Sequence, residues 1–133
     1  MANYRMQILS FRFMGVRTPD QLSKEIDDLA KHPAQGGGLL WTRTDSRDAE
    51  TACRLAIEAA NPASGVYNIT GPRVVLNKPT ADLVDRHFGK DVEIRKPLPG
   101  SESPMSCAKA RDAFGYKPGY EWSETQGHTR EAT

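Results

Sequence analysis

The sequence predicts an α/β domain, and three observations predict it. Strand-like apolar runs alternate with segments of helical periodicity, in the order strand, helix, four times over. The composition, 38% apolar and 26% charged over 133 residues, is that of an ordinary globular chain able to bury a modest core. No apolar run approaches the ~20 residues that would cross a bilayer. Alternation of this kind argues for helices layered on a sheet, and no internal repeat interrupts it.

Each element has a local reason. Residues 7–14, QILSFRFM, are rich in apolar and aromatic side chains and read as a strand. In TPDQLSKEIDDLAKH, Thr18 and Gln21 have capping-box spacing and Pro19 takes the first helical position, where a missing N–H costs nothing. Leu22, Ile26, Leu29 and Ala30 then share one face, so a helix is expected over 19–31. PAQGGG at 33–38 reads as a flexible turn entering a short strand at Leu39–Thr44. Asp45 or Asp48 caps the next helix. Its small face is Ala49, Ala52, Cys53, Ala56 and Ala60, with Cys53 as a packing residue, and Glu50, Arg54 and Glu58 line the opposite face. NPASG ends that helix, and 66–70 reads as a strand.

Pro79 opens a further helix whose apolar face is Leu83, Val84 and Phe88, and Gly89 stops it. VEIR at 92–95 alternates like an exposed strand, and 96–104 is a proline-rich loop. Ser106 can cap a short helix that ends at Gly115, with Pro118 beyond. Residues 1–120 are thus expected to form one domain, and 121–133, where only Trp122 is strongly apolar, a flexible tail.

Charge and cysteine usage narrow the function classes. Eighteen basic against seventeen acidic residues leave a formal charge of +1 with mixed signs throughout, so a nucleic-acid partner is not expected. A membrane partner is not expected either. The N-terminal stretch has no secretory cleavage pattern, which makes a cytoplasmic location the default. On that basis the NIT at 68–70 reads as a chance match to the glycosylation pattern. Cys53 and Cys107 are the only cysteines and have no metal-ligand spacing. His32, His87 and His128 are far apart and read as surface or helix-end residues.

The motifs that carry cofactor chemistry are missing from this stretch of sequence. There is no Gly-rich dinucleotide or P-loop turn, no nucleophile elbow and no zinc spacing. None of Tyr4, Tyr67, Tyr116 and Tyr120 is followed four residues later by lysine. Such a pair would set a phenol beside an ammonium one helical turn away and lower the phenol's pKa for acid/base work.

Five segments in order nonetheless resemble a known family. ILSFRFMGVRTP, LWTRTDSRDAETACRLAIEA, GVYNITGP, PTADLVDRHF and SCAKARDAFGYKPGYEW together look like the C-terminal part of an NAD-dependent epimerase/dehydratase of the extended short-chain dehydrogenase/reductase family. The resemblance runs over about residues 4–122. It implies the last strands of a partial Rossmann-like sheet with flanking helices, plus a small substrate-binding subdomain. The family's dinucleotide turn and Tyr-x-x-x-Lys pair lie upstream of the counterpart of ILSFRF. NAD(P) is therefore implied for the parent family and not as bound by this chain alone. Asp48-Ala49, Lys109-Ala110-Arg111 and Gly115-Tyr116-x-Pro118 follow the family pattern. Gly15, Trp41 and the LPGS at 98–101 depart from it, at positions where the family often contacts a nucleotide diphosphate-sugar.

Two readings follow for the polar residues. Trp41, Thr44, Asp45 and Arg47 line one wall of a substrate cleft, or Asp45, Arg47 and Asp48 form a helix cap with its charge partner. Arg73 follows a strand end, where open α/β sheets bind ligands. Ser106, with Met105 and Cys107, matches a segment lining the family's substrate site, or serves as a helix cap. No catalytic or metal-binding residue is expected. The function implied is the substrate-binding part of an epimerase/dehydratase acting on a sugar or similar small polar molecule, inactive alone. The alternative is a free-standing, self-associating small-ligand or protein-interaction module on the same scaffold. The expected partners are a small-molecule substrate and either a second copy of the chain or a missing N-terminal half.

Overall fold

The computed structural model describes residues 5–124 and the backbone of 130–131. The architecture is mixed α/β. In chain order the elements are β1 (Leu9–Phe13), β2 (Val16–Arg17), α1 (Pro19–Lys31), a 3-10 helix at Pro33–Leu39, β3 (Thr44–Asp45), α2 (Ser46–Glu58), β4 (Gly65–Ile69), α3 (Thr80–Phe88), α4 (Ala108–Phe114), β5 (Tyr120–Glu121) and β6 (Arg130–Glu131), with a short 3-10 turn after α3. β1 and β4 pair in parallel, Leu9 opposite Gly65 through Phe13 opposite Ile69. β2 pairs in parallel with β3, and β5 antiparallel with β6.

Sequence alternation decides which sheet face is buried. Leu9 and Phe11 share a face with Tyr67 and Ile69, and that face packs on Ala52 of α2, on Ala110 and Phe114 of α4 and on Tyr116 beyond it. Phe11 stacks on Phe114 at 5.6 Å, and Tyr67 meets the same ring edge-on at 5.2 Å. A second core joins α1 and α3: Leu22, Ile26 and Leu29 meet Leu83, Val84, Trp41, Trp122 and the Val74–Leu76 segment. Thr44 fastens the two layers. Its hydroxyl donates to the Ile69 carbonyl at 2.9 Å and lies 3.3 Å from the Met14 amide.

Caps fall where the side-chain chemistry puts them. Thr18 and Gln21 form the full capping box at the start of α1. Asp45 is the N-cap of α2 and accepts from the Arg47 amide at 2.9 Å, which settles the choice between Asp45 and Asp48. Gly89 and Gly115 end α3 and α4 with positive φ.

Four expectations are corrected. The segment expected as a strand at Leu39–Thr44 continues the 3-10 helix to Leu39 and then passes through Leu40 and Trp41, both left-handed, so only Thr44–Asp45 is extended. The Trp41 indole takes this bend inward and donates to the Pro33 carbonyl at 2.7 Å. Residues 92–95 form no strand, and among the described residues no strand lies beside them to pair with. Cys53 is exposed and does not pack in the core, because the buried stripe of α2 runs through Asp48 and Ala52. The segment after Glu121 is held in the fold through Glu124: Trp122 and Ser123 are buried and the Glu124 amide donates to the Val75 carbonyl. Of the rest of the expected tail only the backbone of 130–131 is described, and His128 lies outside the described residues. Among the described residues no helix is long and apolar enough to cross a membrane.

Candidate functional site

β4 ends at Ile69 and the chain turns through Thr70-Gly71-Pro72, opening a cleft of about 370 Å³ at the strand's carboxyl end. Its other walls are the loop from Glu102 to Cys107, the first turns of α4 and Tyr116–Pro118. Arg111 and Lys117 bring positive charge to it, and Glu102 brings a carboxylate. Ser106 lies on this wall, with its hydroxyl accepting from the Ala108 amide at 3.2 Å.

The floor is held by hydrogen bonds to Thr70. The Cys107 sulfur accepts from the Thr70 amide at 3.3 Å, and the Tyr116 hydroxyl donates to the Thr70 carbonyl at 3.1 Å. Burial pushes the Cys107 thiol up; the Thr70 amide opposes this and the Asp48 charge adds to it. Burial likewise pushes the Tyr116 phenol far up, reinforced by the negative charge of Asp48. Both groups therefore stay protonated and neutral around neutral pH. Neither is an activated nucleophile or base. The cleft is built to bind a polar ligand against neutral hydrogen-bonding groups and a cationic rim.

A second cluster positions the wall. Asp48 accepts from the Gly119 amide at 2.8 Å and the Tyr120 amide at 3.2 Å. One oxygen of Asp45 accepts from the Trp122 indole at 2.9 Å and from the Arg47 guanidinium at 2.8 Å. The Arg47 guanidinium lies 3.5 Å over the Tyr120 ring. The start of α2 thus clamps Gly119–Trp122, directly after the cleft-lining Tyr116–Pro118.

Of the six residues expected at a substrate site, the structure brings only Ser106 to this cleft. Trp41 and Thr44 are fully buried and Asp45 is 2% exposed, so these three are framework residues, not a cleft wall. Arg47 is half-exposed and serves the Asp45 clamp. Arg73 folds back on the Val74 and Leu76 carbonyls and pairs with Glu121. Its short side of the turn, Gly71-Pro72, reaches the cleft instead. Sequence reasoning missed Arg111, Lys117 and Glu102 as cleft residues. The only available signal was that KAR lies inside one short helix and GYKP directly follows it.

The two aspartates titrate in opposite directions. Burial pushes Asp45 up, but its hydrogen bonds with Arg47 and Trp122 outweigh this and hold it below the usual carboxylate range. Its contribution to stability is present above the unfolded-state pKa and is lost as pH falls through the lower folded one. Burial pushes Asp48 up, against the two backbone amides, and here burial wins. The folded state then takes up this proton first, so the associated stability is present below the unfolded value of 3.8 and is lost as pH rises through the folded pKa. Asp48→Asn, which keeps an acceptor for Gly119 and removes the buried charge, is expected to lose less stability at neutral pH than Asp48→Ala. The gap in stability between Asp48→Asn and the parent should shift against the variant as pH is lowered toward 3.8. Urea denaturation at several pH values checks both; a pH-independent gap rejects the assignment.

Comparison with known proteins returns no matching family model, no matching curated protein and no matching solved structure. The dinucleotide turn implied by the family resemblance lies upstream of the counterpart of residues 8–13, so no chemical step is assigned through that cofactor here.

Proposed function

We propose that this chain is the substrate-binding, C-terminal part of a protein of the NAD(P)-dependent epimerase/dehydratase kind, silent in catalysis by itself. Its paired parallel strands are then the last strands of a Rossmann-like sheet, and its loops and short helices are the substrate-binding portion. The observation that carries the reading is the position of the cleft: it opens at the carboxyl end of a parallel strand, where open α/β sheets bind ligands. The neutral Cys107 and Tyr116 on its floor fit a site that binds without supplying acid or base. The ligand class is a small polar molecule, such as a sugar or sugar-like compound, held by Ser106 and the Arg111/Lys117 rim. Five family-like segments in order support the assignment, and the missing Tyr-x-x-x-Lys accounts for silence.

The test is titration of the isolated chain with NAD(H) and NADP(H), followed by amide chemical-shift mapping with neutral and acidic sugars. The expected result is no micromolar dinucleotide binding, no turnover, and sugar-induced shifts confined to residues 70–72, 102–108 and 111–118. Micromolar binding of the dinucleotide with turnover overturns the proposal, as do sugar-induced shifts away from the cleft. A second reading, a free-standing self-associating module, is favoured by one specific feature: among the described residues no strand pairs with β1 on the side away from β4.

A further inference from the structure

The polar side chains that line the cleft at the carboxyl end of β4 divide into those already bonded and those still free. The Tyr116 hydroxyl is engaged by the Thr70 carbonyl and the Cys107 sulfur by the Thr70 amide. Ser103, buried like Tyr116, is engaged by Met105, donating to its carbonyl and accepting from its amide, both at 3.1 Å.

What remains is mostly donors. The Ser106 hydroxyl accepts from the Ala108 amide, which leaves its own proton to donate. Arg111 engages only its Nε–H, with Asp112 at 3.2 Å, and keeps both terminal amino groups. Lys117 has three N–H donors and no partner for them among the described residues. Glu102 is the one free side-chain carboxylate of the lining, again without a partner among the described residues. The two cations stand on fixed backbone. Lys117 follows Tyr116, bonded to Thr70, and precedes Pro118 and the Gly119 and Tyr120 amides, which donate to Asp48. Arg111 sits on α4, anchored in the core by Ala110 and Phe114. Charges placed in advance lose less freedom when a ligand arrives.

We propose that the ligand of this cleft is an acidic sugar, one anionic group on a polyhydroxylated body, with its carboxylate or phosphate held by Arg111 and Lys117. The proposal rests on the reading of the cleft as the substrate site and adds the charge of the substrate. A lining whose free side chains are donors, two of them cationic, calls for an acceptor-rich anion, and the arginine fork suits carboxylate and phosphate oxygens alike. Glu102 repels that anion and accepts a hydroxyl of the sugar body, so the two charge types fix which way the ligand lies. Ser106 donates to a further sugar oxygen. The chain offers a nucleotide base no ring to stack on: Tyr116 is the only aromatic residue of the lining among the described residues, and it is 1% exposed.

The experiment is amide chemical-shift titration of the full chain with D-glucuronate, D-glucose 6-phosphate, D-glucose and inorganic phosphate. At least one of the two acidic sugars should shift residues 102–108 and 111–118, binding about tenfold tighter than glucose or inorganic phosphate. Comparing the two acids shows whether the cleft takes a carboxylate or a phosphate. Arg111→Gln and Lys117→Gln lie at exposed positions, and circular dichroism verifies the fold of each. Each should weaken the acidic sugar about tenfold and leave glucose unchanged. Glucose binding the same residues as tightly as the acids overturns the proposal and leaves the substrate-site reading standing. Inorganic phosphate binding as tightly as either acidic sugar, or acidic sugars indifferent to both variants, also overturns the proposal alone. Sugar-induced shifts only outside the cleft, or none at all, overturn both.

Discussion

Asp45→Ala should destabilise the protein by about 3 kcal/mol, the sum of a lost N-cap and a buried indole N–H left without an acceptor. Three elements converge on this carboxylate. It caps α2 through the Arg47 amide, takes the Arg47 guanidinium through both oxygens, and accepts from Trp122 across 77 residues of sequence. The Arg47 pair adds little to that figure, since the arginine side chain is 41% exposed and solvent screens it. Asp45→Asn keeps a capping oxygen and an acceptor for the indole, so it should cost clearly less than the alanine variant. Thermal melts and urea titrations read the order directly. Because the same carboxylate anchors the segment behind Tyr116–Pro118, the alanine variant should also lose ligand-induced shifts in the cleft. Equal stability of Asp45→Ala and the parent would remove the clamp from the account.

Trp41→Ala should be the larger effect, about 3–5 kcal/mol, the usual range for deleting a fully buried aromatic ring. The ring sits in the α1–α3 core, 5.4 Å from His87 and 5.8 Å from Phe88, and fills the space beside Gly36. Two consecutive left-handed residues, Leu40 and Trp41, turn the chain so that the ring points inward, and the bond to Pro33 holds it there. Trp41→Phe should recover most of the packing but none of that bond. This prediction separates the two roles available to Trp41. A cleft-wall tryptophan could be replaced at little cost to stability and a large cost to binding; a core tryptophan gives the reverse. Chemical denaturation of Trp41→Ala showing a loss under 1 kcal/mol, where exposed-site substitutions fall, would return it to the cleft wall.

The boundaries of this domain that were legible in sequence are those with local causes. The Thr18–Gln21 box, the Asp45 cap and the glycines at 89 and 115 depend on residues within one helical turn of each other, so the chain carries the whole signal in a few positions. The richness of residues 7–14 in apolar and aromatic side chains likewise announced a strand, which forms over Leu9–Phe13. The apolar run at 39–41 misled for the same reason in reverse. LLW satisfies strand propensity, but the deciding interactions are the 3-10 turn before it and a pocket made by α1 and α3. Residues 92–95 have strand-like alternation but, among the described residues, no strand beside them, and alternation alone cannot supply a partner.

The candidate site was less legible than the fold. Ser106, Met105 and Cys107 were found because they match a segment lining the resembled family's substrate site; Arg111, Lys117 and Glu102 were not, because they reach the cleft from separate segments. Asp45 and Arg47 looked like a site because charge is dense there in sequence. In three dimensions that charge is consumed by Trp122, Tyr120 and the backbone of α2. By itself, then, the sequence determined most helix boundaries and their caps and the apolar faces of α1 and α3, since these are set by neighbours within a few residues. Only the tertiary structure decided that Trp41 belongs to a core and that Trp122 ties the segment after Tyr120 to Asp45. Burial and pairing are relations between residues far apart in the chain, and they exist only once it has folded.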